Sequence, residues 1–394
     1  MKSKSTIYTS AFYLAFAYNF FQSLNFSNNA IYPLYVTYSG GGAEMVGLFM
    51  SAFSIAAVLG RPLVGLMIDR FRIKPVLLAG SLMMALPSIG YYFLIGEGLV
   101  PLVWILRIIQ GFGFGAHFTG FFTLAAQNAP IERRNEAVAT YGVSGLMGAL
   151  IGPYLGENLV EHFGLPVFFL VMCGLSLVGF LFILPLSEKG EGGTHFPGLR
   201  TLLSGFRSRK LLFVLFLAMC LAFSYSTPQV FLAPIAKERG IWGFGLYFTG
   251  FGVTGIFIRM LGRKWGDRIG LRRILIPAFI SYGLGLLILE FSSGIEGIIL
   301  AGAVNGFAHG IAFPAVTALG YNQSRPEIVG SSMALVTGVM DASNAINAIV
   351  LGQAAGYFGY GVVFWLAALA PLAAAAVLVV NVLVHPVVIR SPHN

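Results

Sequence analysis

The 394 residues are 57% hydrophobic and only 10% charged, with a mean hydropathy of +0.82. A soluble domain carries about 25% charged residues, so the composition excludes a chain whose main solvent is water. The formal net charge of +9 would point to nucleic acid in a soluble protein. Here the basic residues fall in short loops between apolar runs, so the implied partner is a lipid bilayer and nucleic acid is not expected. Cys173 and Cys220 both lie inside apolar runs, which implies no disulfide framework.

The chain opens with Lys2 and Lys4 before an apolar run, as a signal peptide would. Asn19, Gln22 and Asn25 interrupt that run, so it reads as a retained first helix. Turn residues and charges then mark twelve candidate spans, near 11–37, 45–69, 75–95, 99–124, 136–161, 165–186, 211–237, 243–262, 273–292, 295–320, 327–354 and 360–384. Each is close to the length of about 20 residues that crosses a bilayer. Six spans lie on each side of the polar, Gly-rich stretch Ser187 to Lys210. This predicts two helical units, 1–186 and 211–394, with a cytoplasmic linker at 187–210. With the N-terminus in the cytoplasm, only Lys237 and Arg239 fall outside, and Arg61, Arg107 and Arg259 lie within spans. The positive-inside rule selects this orientation, which leaves both termini cytoplasmic, and in a bacterial cell it implies the inner membrane.

The two halves repeat each other. Arg61, Gly65 and Asp69 share a helix face at four-residue steps, followed by Arg70, Arg72, Lys74 and Pro75; Arg259, Asp267, Arg268, Gly270, Arg272 and Arg273 return with a 198-residue offset. Gln110-Gly111-Phe112-Gly113 is echoed by Asn305-Gly306-Phe307-Ala308. Parallel repeats of this kind are a transporter design.

On these residues the chain resembles the major facilitator superfamily, over nearly its whole length. The loop signature Gly-x-x-x-Asp-(Arg/Lys)-x-Gly-x-(Arg/Lys)-(Arg/Lys) is matched at Gly65, Asp69, Arg70 and Lys74, with Arg72 at the second glycine. The second copy matches at Asp267, Arg268, Gly270, Arg272 and Arg273, with Arg263 at the first glycine. Arg107-Ile108-Ile109-Gln110-Gly111-Phe112-Gly113 is similar to the fourth-helix motif of proton-coupled members. Gly148, Gly152, Pro153 and Gly156 are similar to the fifth-helix antiporter motif, with Glu157 at its final glycine. The resemblance implies an all-α membrane fold of twelve transmembrane helices, as two six-helix bundles related by a pseudo-two-fold. It also implies a monomer that needs no cofactor. By the same resemblance, Asp69 and its neighbours form a cytoplasmic latch against the eleventh helix near Pro326, and Asp267 forms the mirror latch near Arg134.

Ionisable residues inside spans are costly and face a partner or a cavity. On the fourth span Arg107, Gln110, Phe114 and His117 share one face, which predicts a substrate or proton pathway; the alternative is an Arg107 that snorkels to the interface. Asp341 lies near the middle of the eleventh span with Asn344 on its face, as a proton carrier, a binder of cationic substrate, or a structural hydrogen-bond partner. Asn305 and His309 are one turn apart on the tenth span. Tyr18, Gln22, Asn25, Asn29 and Tyr32 form a polar stripe on the first span, suited to a central cavity or to tying helices together. Tyr225, Thr227 and Gln229 surround Pro228. Glu157, near the end of its span, reads as a solvated interfacial carboxylate.

The reading that unites these features is a secondary active transporter of a small organic solute working by alternating access, with protons as coupling ion and export as the direction. The alternative is a proton-coupled importer of a sugar or organic anion, with Arg107 pairing the anion. No Gly-Lys pair occurs, so a phosphate-binding loop for ATP is absent. An intramembrane enzyme is disfavoured because neither Ser-x-x-Lys nor His-Glu-x-x-His occurs. With six dispersed histidines and cysteines in different spans, no metal site is expected. A receptor or scaffold with a transporter fold is the remaining class.

Overall fold

The structure is a computed structural model that describes residues 9–128, 134–186, 208–262, 265–324 and 329–384. The described residues are almost entirely helical: α1 (Ser10–Ser27), α2 (Tyr32–Tyr38), α3 (Ala43–Phe71), α4 (Ile73–Phe93), α5 (Pro101–Asn128), α6 (Arg134–Ile183), α7 (Arg209–Glu238), α8 (Leu246–Leu261), α9 (Trp265–Ile269), α10 (Leu271–Phe291), α11 (Ile295–Gln323), α12 (Val329–Phe358) and α13 (Val363–Val384). Among the described residues, eight helices are long and apolar enough to cross a membrane. The others fall short for visible reasons. A 3-10 turn over Asn28–Ile31 divides α1 from α2, α8 has only 16 residues, and α5 carries Arg107, Gln110 and His117.

Local chemistry sets the boundaries. The Thr9 hydroxyl accepts from the Phe12 amide at 3.2 Å to start α1, and Ser208 accepts from Leu211 at 3.4 Å to start α7, each satisfying an amide that has no intrahelical partner. The long α6 is bent at Gly164, whose φ of 76° and ψ of 175° are not helical, between the two spans expected at 136–161 and 165–186. Arg72 (φ 71°, ψ 174°) joins α3 to α4, Gly270 (φ 96°) joins α9 to α10, and Gly359 (φ 78°, ψ 169°) lies between α12 and α13. Four helix-to-helix corners thus share a left-handed residue. Arg72 and Gly270 are 198 positions apart, Gly164 and Gly359 are 195 apart, the spacing of the sequence repeat.

The apolar packing has a direction. One buried cluster contains residues from 12 to 186 only, with Tyr18, Ile68, Leu77 and Phe121. A second contains residues from 211 to 378 only, with Leu217, Phe279, Ala312 and Leu378. A third draws on both parts of the chain, packing Tyr35, Phe49 and Phe169 with Phe231, Phe244, Leu351 and Val363. The two parts of the chain are therefore fused at the end where Tyr35 and Phe244 lie, and keep separate cores at the other. At the fused end α3 crosses α12 with no side chain between: a Cβ on Gly47 would overlap the carbonyl of Ala348, and Gly352 packs on the Gly47 Cα.

Arg72 is the one non-glycine described residue with positive φ, in a region otherwise reserved for glycine. Arg72→Gly is expected to raise stability by about 1 kcal/mol, the released strain less the added unfolded-state freedom, and Gly270→Arg to lower it. Thermal melts in detergent test this, and a lower melting temperature for Arg72→Gly would refute it.

Candidate functional site

Arg107 is fully buried, which rules out snorkelling to the interface. Its guanidinium donates to the Gln110 Oε1 at 2.9 Å, the Asn29 Oδ1 at 2.6 Å and the Phe49 carbonyl at 3.2 Å. Its carbon centre lies 4.7 Å from the Tyr32 ring centroid, 4.5 Å from Phe49 and 4.7 Å from Phe53. Gln110 in turn donates to the Tyr32 hydroxyl at 2.6 Å. Neutral acceptors and three ring faces thus stabilise the cation, cation–π contacts being worth about 2 kcal/mol when desolvated. The motif brings Asn29, Tyr32, Arg107 and Gln110 together, but in a closed cage.

The polar stripe of the first span divides. Gln22 bonds Ser81 at 2.9 Å and the Ser176 carbonyl at 3.1 Å, and Asn25 donates to the Met172 carbonyl at 2.6 Å. These two tie α1 to α4 and α6, which is the helix-tying alternative. Asn25, Asn29, Tyr32 and Gln110 border only a void of about 10 Å³; the face that lines a larger cavity is Asn19, Ser23, Phe26 and Ser27, missed because helical spacing groups residues without saying which group points inward. The antiporter-motif glycines seat the same helix: a Cβ on Gly148 would lie 2.6 Å from the Leu24 nitrogen, and Gly152 and Gly156 face Ser27 and Asn28.

Two adjoining cavities lie between the two parts of the chain. One, of about 180 Å³, is lined by Asn19, Phe26, Phe114, His117 and Phe118, and by Tyr225 and Gln229 of α7. The other, of about 90 Å³, shares Ala149, Tyr225, Gln229 and Phe248 with it and adds Tyr247, Phe251, Arg259 and His309. His117 Nδ1 is 3.1 Å from the Tyr18 hydroxyl. His309 Nδ1 is 2.8 Å from the Tyr282 hydroxyl, and its ring stacks on Tyr225 and Phe313 at 5.0 and 5.4 Å. Asn305 turns aside to bond the Tyr247 hydroxyl at 2.9 Å. Arg259, expected in the latch, is instead a wall of the cavity.

Arg61, also expected in the latch, forms an ion pair with Asp341. It lies against the cavity residue Phe118, 5.1 Å from its ring centroid. The lone carboxylate of the eleventh span therefore has a partner, 280 residues away in sequence, that no local pattern encodes. Asn344 beside it keeps a buried, unpartnered Oδ1. Asn347, one turn on, holds α12 to α7 through Ser226 at 2.6 Å and Thr227 at 3.1 Å. Of the remaining latch residues, Gly65 is buried, Arg70 stacks on Phe71 at 5.3 Å and Arg272 lies 5.8 Å from Phe213. Arg268 is exposed. The side chains of Asp69, Asp267 and Arg134, with Pro326, lie outside the described residues.

Glu157 departs most from expectation. It is fully buried, and its carboxylate accepts the amides of Gly243, Phe244 and Gly245 at 2.6, 2.9 and 2.6 Å. Those amides open α8, so the positive end of that helix and three donors meet one anion. Gly245 permits the approach, because a Cβ there would lie 2.5 Å from the Tyr154 Cα. Thr249 adds a bond to the Leu150 carbonyl at 3.0 Å. The substitution at the motif's last glycine is a clasp between α6 and α8 at the fused end.

The family model described as Major Facilitator Superfamily matches residues 14–242 and 214–393. The chain belongs to that superfamily. It is a multi-pass membrane transporter of small molecules and not an enzyme. It is 28% identical over 351 residues to the multi-drug resistance efflux pump PmrA of Streptococcus pneumoniae serotype 4, covering 84% of this chain and 86% of that one. It is 28% identical over 355 residues to the multidrug resistance protein MdtG of Salmonella paratyphi A, covering 84% and 85%. Among solved structures it is similar in fold to the nucleoside transporter NupG, with a TM-score of 0.75, 14% identity and coverage of 94% and 99%. A POT family transporter gives a TM-score of 0.76, 13% identity and coverage of 94% and 95%.

In this transporter Glu157→Ala is expected to cost about 2 kcal/mol, since it leaves three helix-terminal amides without their charged acceptor. Glu157→Gln should fall between Ala and the native residue. Equal melting temperatures for all three forms in detergent would refute the clasp.

Proposed function

We propose that the transporter is a proton-coupled exporter of small organic solutes that works by alternating access. Twelve membrane-crossing segments form two six-helix bundles, 1–186 and 211–394, joined by 187–210. α1 with α2 counts as one segment, and the bend at Gly164 divides α6 into two. Both termini lie in the cytoplasm and the membrane is the inner one, so the fused end with Glu157 faces outward. The conformation is then closed to the outside, with the cavity on the cytoplasmic side of the closure. Efflux as the direction is supported by the likeness to PmrA and MdtG.

The observation that carries the coupling mechanism is the Arg61–Asp341 pair. From the Gly47–Gly352 crossing, α3 runs 14 residues to Arg61, and α12 has covered 11 residues from Asp341, about 21 and 16 Å at 1.5 Å per residue. The pair is thus an ionic tie deep in the α3–α12 seam, on the cavity side of the closure. It joins residues of the two proposed bundles. A carboxylate is the one member that can take up a proton there; when it does, the attraction that holds the seam is lost. Proton occupancy of Asp341 and the separation of the bundles are thereby linked, which is what coupling requires. Arg107, enclosed in its cage, holds the 3-10 turn at Asn29 and α2 against α3 and α5 and does not meet the solute.

In proteoliposomes an imposed pH gradient should drive solute movement without nucleotide. Asp341→Asn and Arg61→Gln should each reduce gradient-driven flux at least tenfold while leaving solute exchange at equal pH. Gradient-driven flux at the native rate in Asp341→Asn would take that residue out of the mechanism, and flux indifferent to the gradient would refute proton coupling.

A further inference from the structure

The sequence repeat gives Arg61 a counterpart, Arg259, 198 positions on. Arg61 is neutralised by Asp341 on the facing helix. Arg259 lies on α8 and lines a cavity that it shares with Leu146, Ala149 and Leu150 of α6, and none of these can answer its charge. Like that of Arg61, its Nε is buried without an acceptor; unlike Arg61, it has no carboxylate partner among the described residues. The Phe313 ring centroid lies 5.8 Å from the guanidinium carbon.

The rest of the wall adds no negative charge. Neither cavity has a described Asp or Glu in its lining, and the titratable groups present are Arg259, His309, His117, Tyr225 and Tyr247. Among the described residues, the lining therefore offers a solute one unpaired cation and no anion. Beside that cation the His309 ring stacks on Tyr225 at 5.0 Å, with Phe251, a third ring of the same lining, 5.2 Å away. These rings offer flat apolar contact, and Gln229 is a polar neighbour in the same lining. Burying an unpaired guanidinium in a site that closes to water is costly, and a ligand carboxylate removes that cost.

We infer that the cavity binds a small aromatic carboxylate, whose anion takes at Arg259 the place that Asp341 takes at Arg61 and whose ring lies on the Tyr225–His309–Phe251 wall. This rests on the reading of the cavity as the solute site, and it selects organic anions over the organic cations that an acidic cavity would attract. It also moves the anion contact from Arg107, which the cage has already satisfied, to the opposite part of the chain.

The test is equilibrium binding by calorimetry to the full chain in detergent, with no gradient present. The probes are 1-naphthoate, uncharged 1-naphthamide and the 1-naphthylmethylammonium cation, which share one ring system. The native protein should bind the carboxylate at least tenfold more tightly than either of the others. Arg259→Gln should remove that preference and leave the amide's affinity within about twofold, while Arg259→Lys should keep part of it. Equal affinity for the carboxylate and the amide in the native protein overturns the inference without recourse to any variant. An unchanged preference in folded Arg259→Gln overturns it as well. Carboxylate preference that depends on Arg259, in vesicles that show no gradient-driven flux, would uphold this site and refute the export reading. Flux of the panel without charge preference would do the reverse.

Discussion

Moving an ion from water into a low-dielectric interior costs several kcal/mol unless partners replace the lost hydration. The described interior holds Arg61, Arg107, Glu157, Arg259 and Asp341, and the architecture follows from how each is answered. Arg107 receives neutral acceptors and ring faces within one part of the chain, and so stiffens it. Glu157 receives three amides from the turn that opens α8, and so closes one end. Arg61 and Asp341 answer each other across α3 and α12. Of these five, only Arg259 lines one of the two cavities. Three solutions hold the molecule in one shape, and the fourth leaves a charge for something that comes and goes.

The closure has a covalent-geometry counterpart at the corners. Gly164, Gly270 and Gly359 take the left-handed turn between successive helices without a Cβ, whereas Arg72 takes it with one. The corner that carries the strained residue joins α3, the helix that bears Arg61, to α4. Strain of this kind persists where surrounding contacts over-determine the backbone. It lowers the cost of rearranging that corner relative to Gly270, so the repeat is symmetric in path but unequal in stiffness.

Much of this was legible in the sequence, and the limits have physical causes. Hydrophobic runs and turn residues located the helices well, because a bilayer imposes length directly. The bend at Gly164 falls where the fifth and sixth spans were divided. The Arg107 stripe was legible because helical spacing alone gathers Arg107 with Gln110. Spacing does not fix the direction in which a stripe points. Gln22 and Asn25 look like cavity residues by pattern, yet Ser81, Ser176 and Met172 claim them, while Asn19 and Ser23 meet the open space. Glu157 was misread because depth within a span says nothing about a helix start 86 residues later. The partner of Asp341 was hidden for the same reason.

The repeat makes the difference between Arg61 and Arg259 informative. If two halves descend from one plan, a cation at the same place in each should find the same kind of partner. In one half the plan is completed by Asp341. In the other, the described α6 residues that line the same cavity as the cation, Leu146, Ala149 and Leu150, carry no charge. A permanent partner at both places would tie α6 to α8 near the cavity as firmly as α3 is tied to α12, and Glu157 already binds that second seam farther out. Leaving Arg259 unpaired keeps the inner half of the α6–α8 seam free to part. On the proposed cycle a bound anion would then neutralise the cation only while solute is present, so that one seam responds to the solute and the other to the proton.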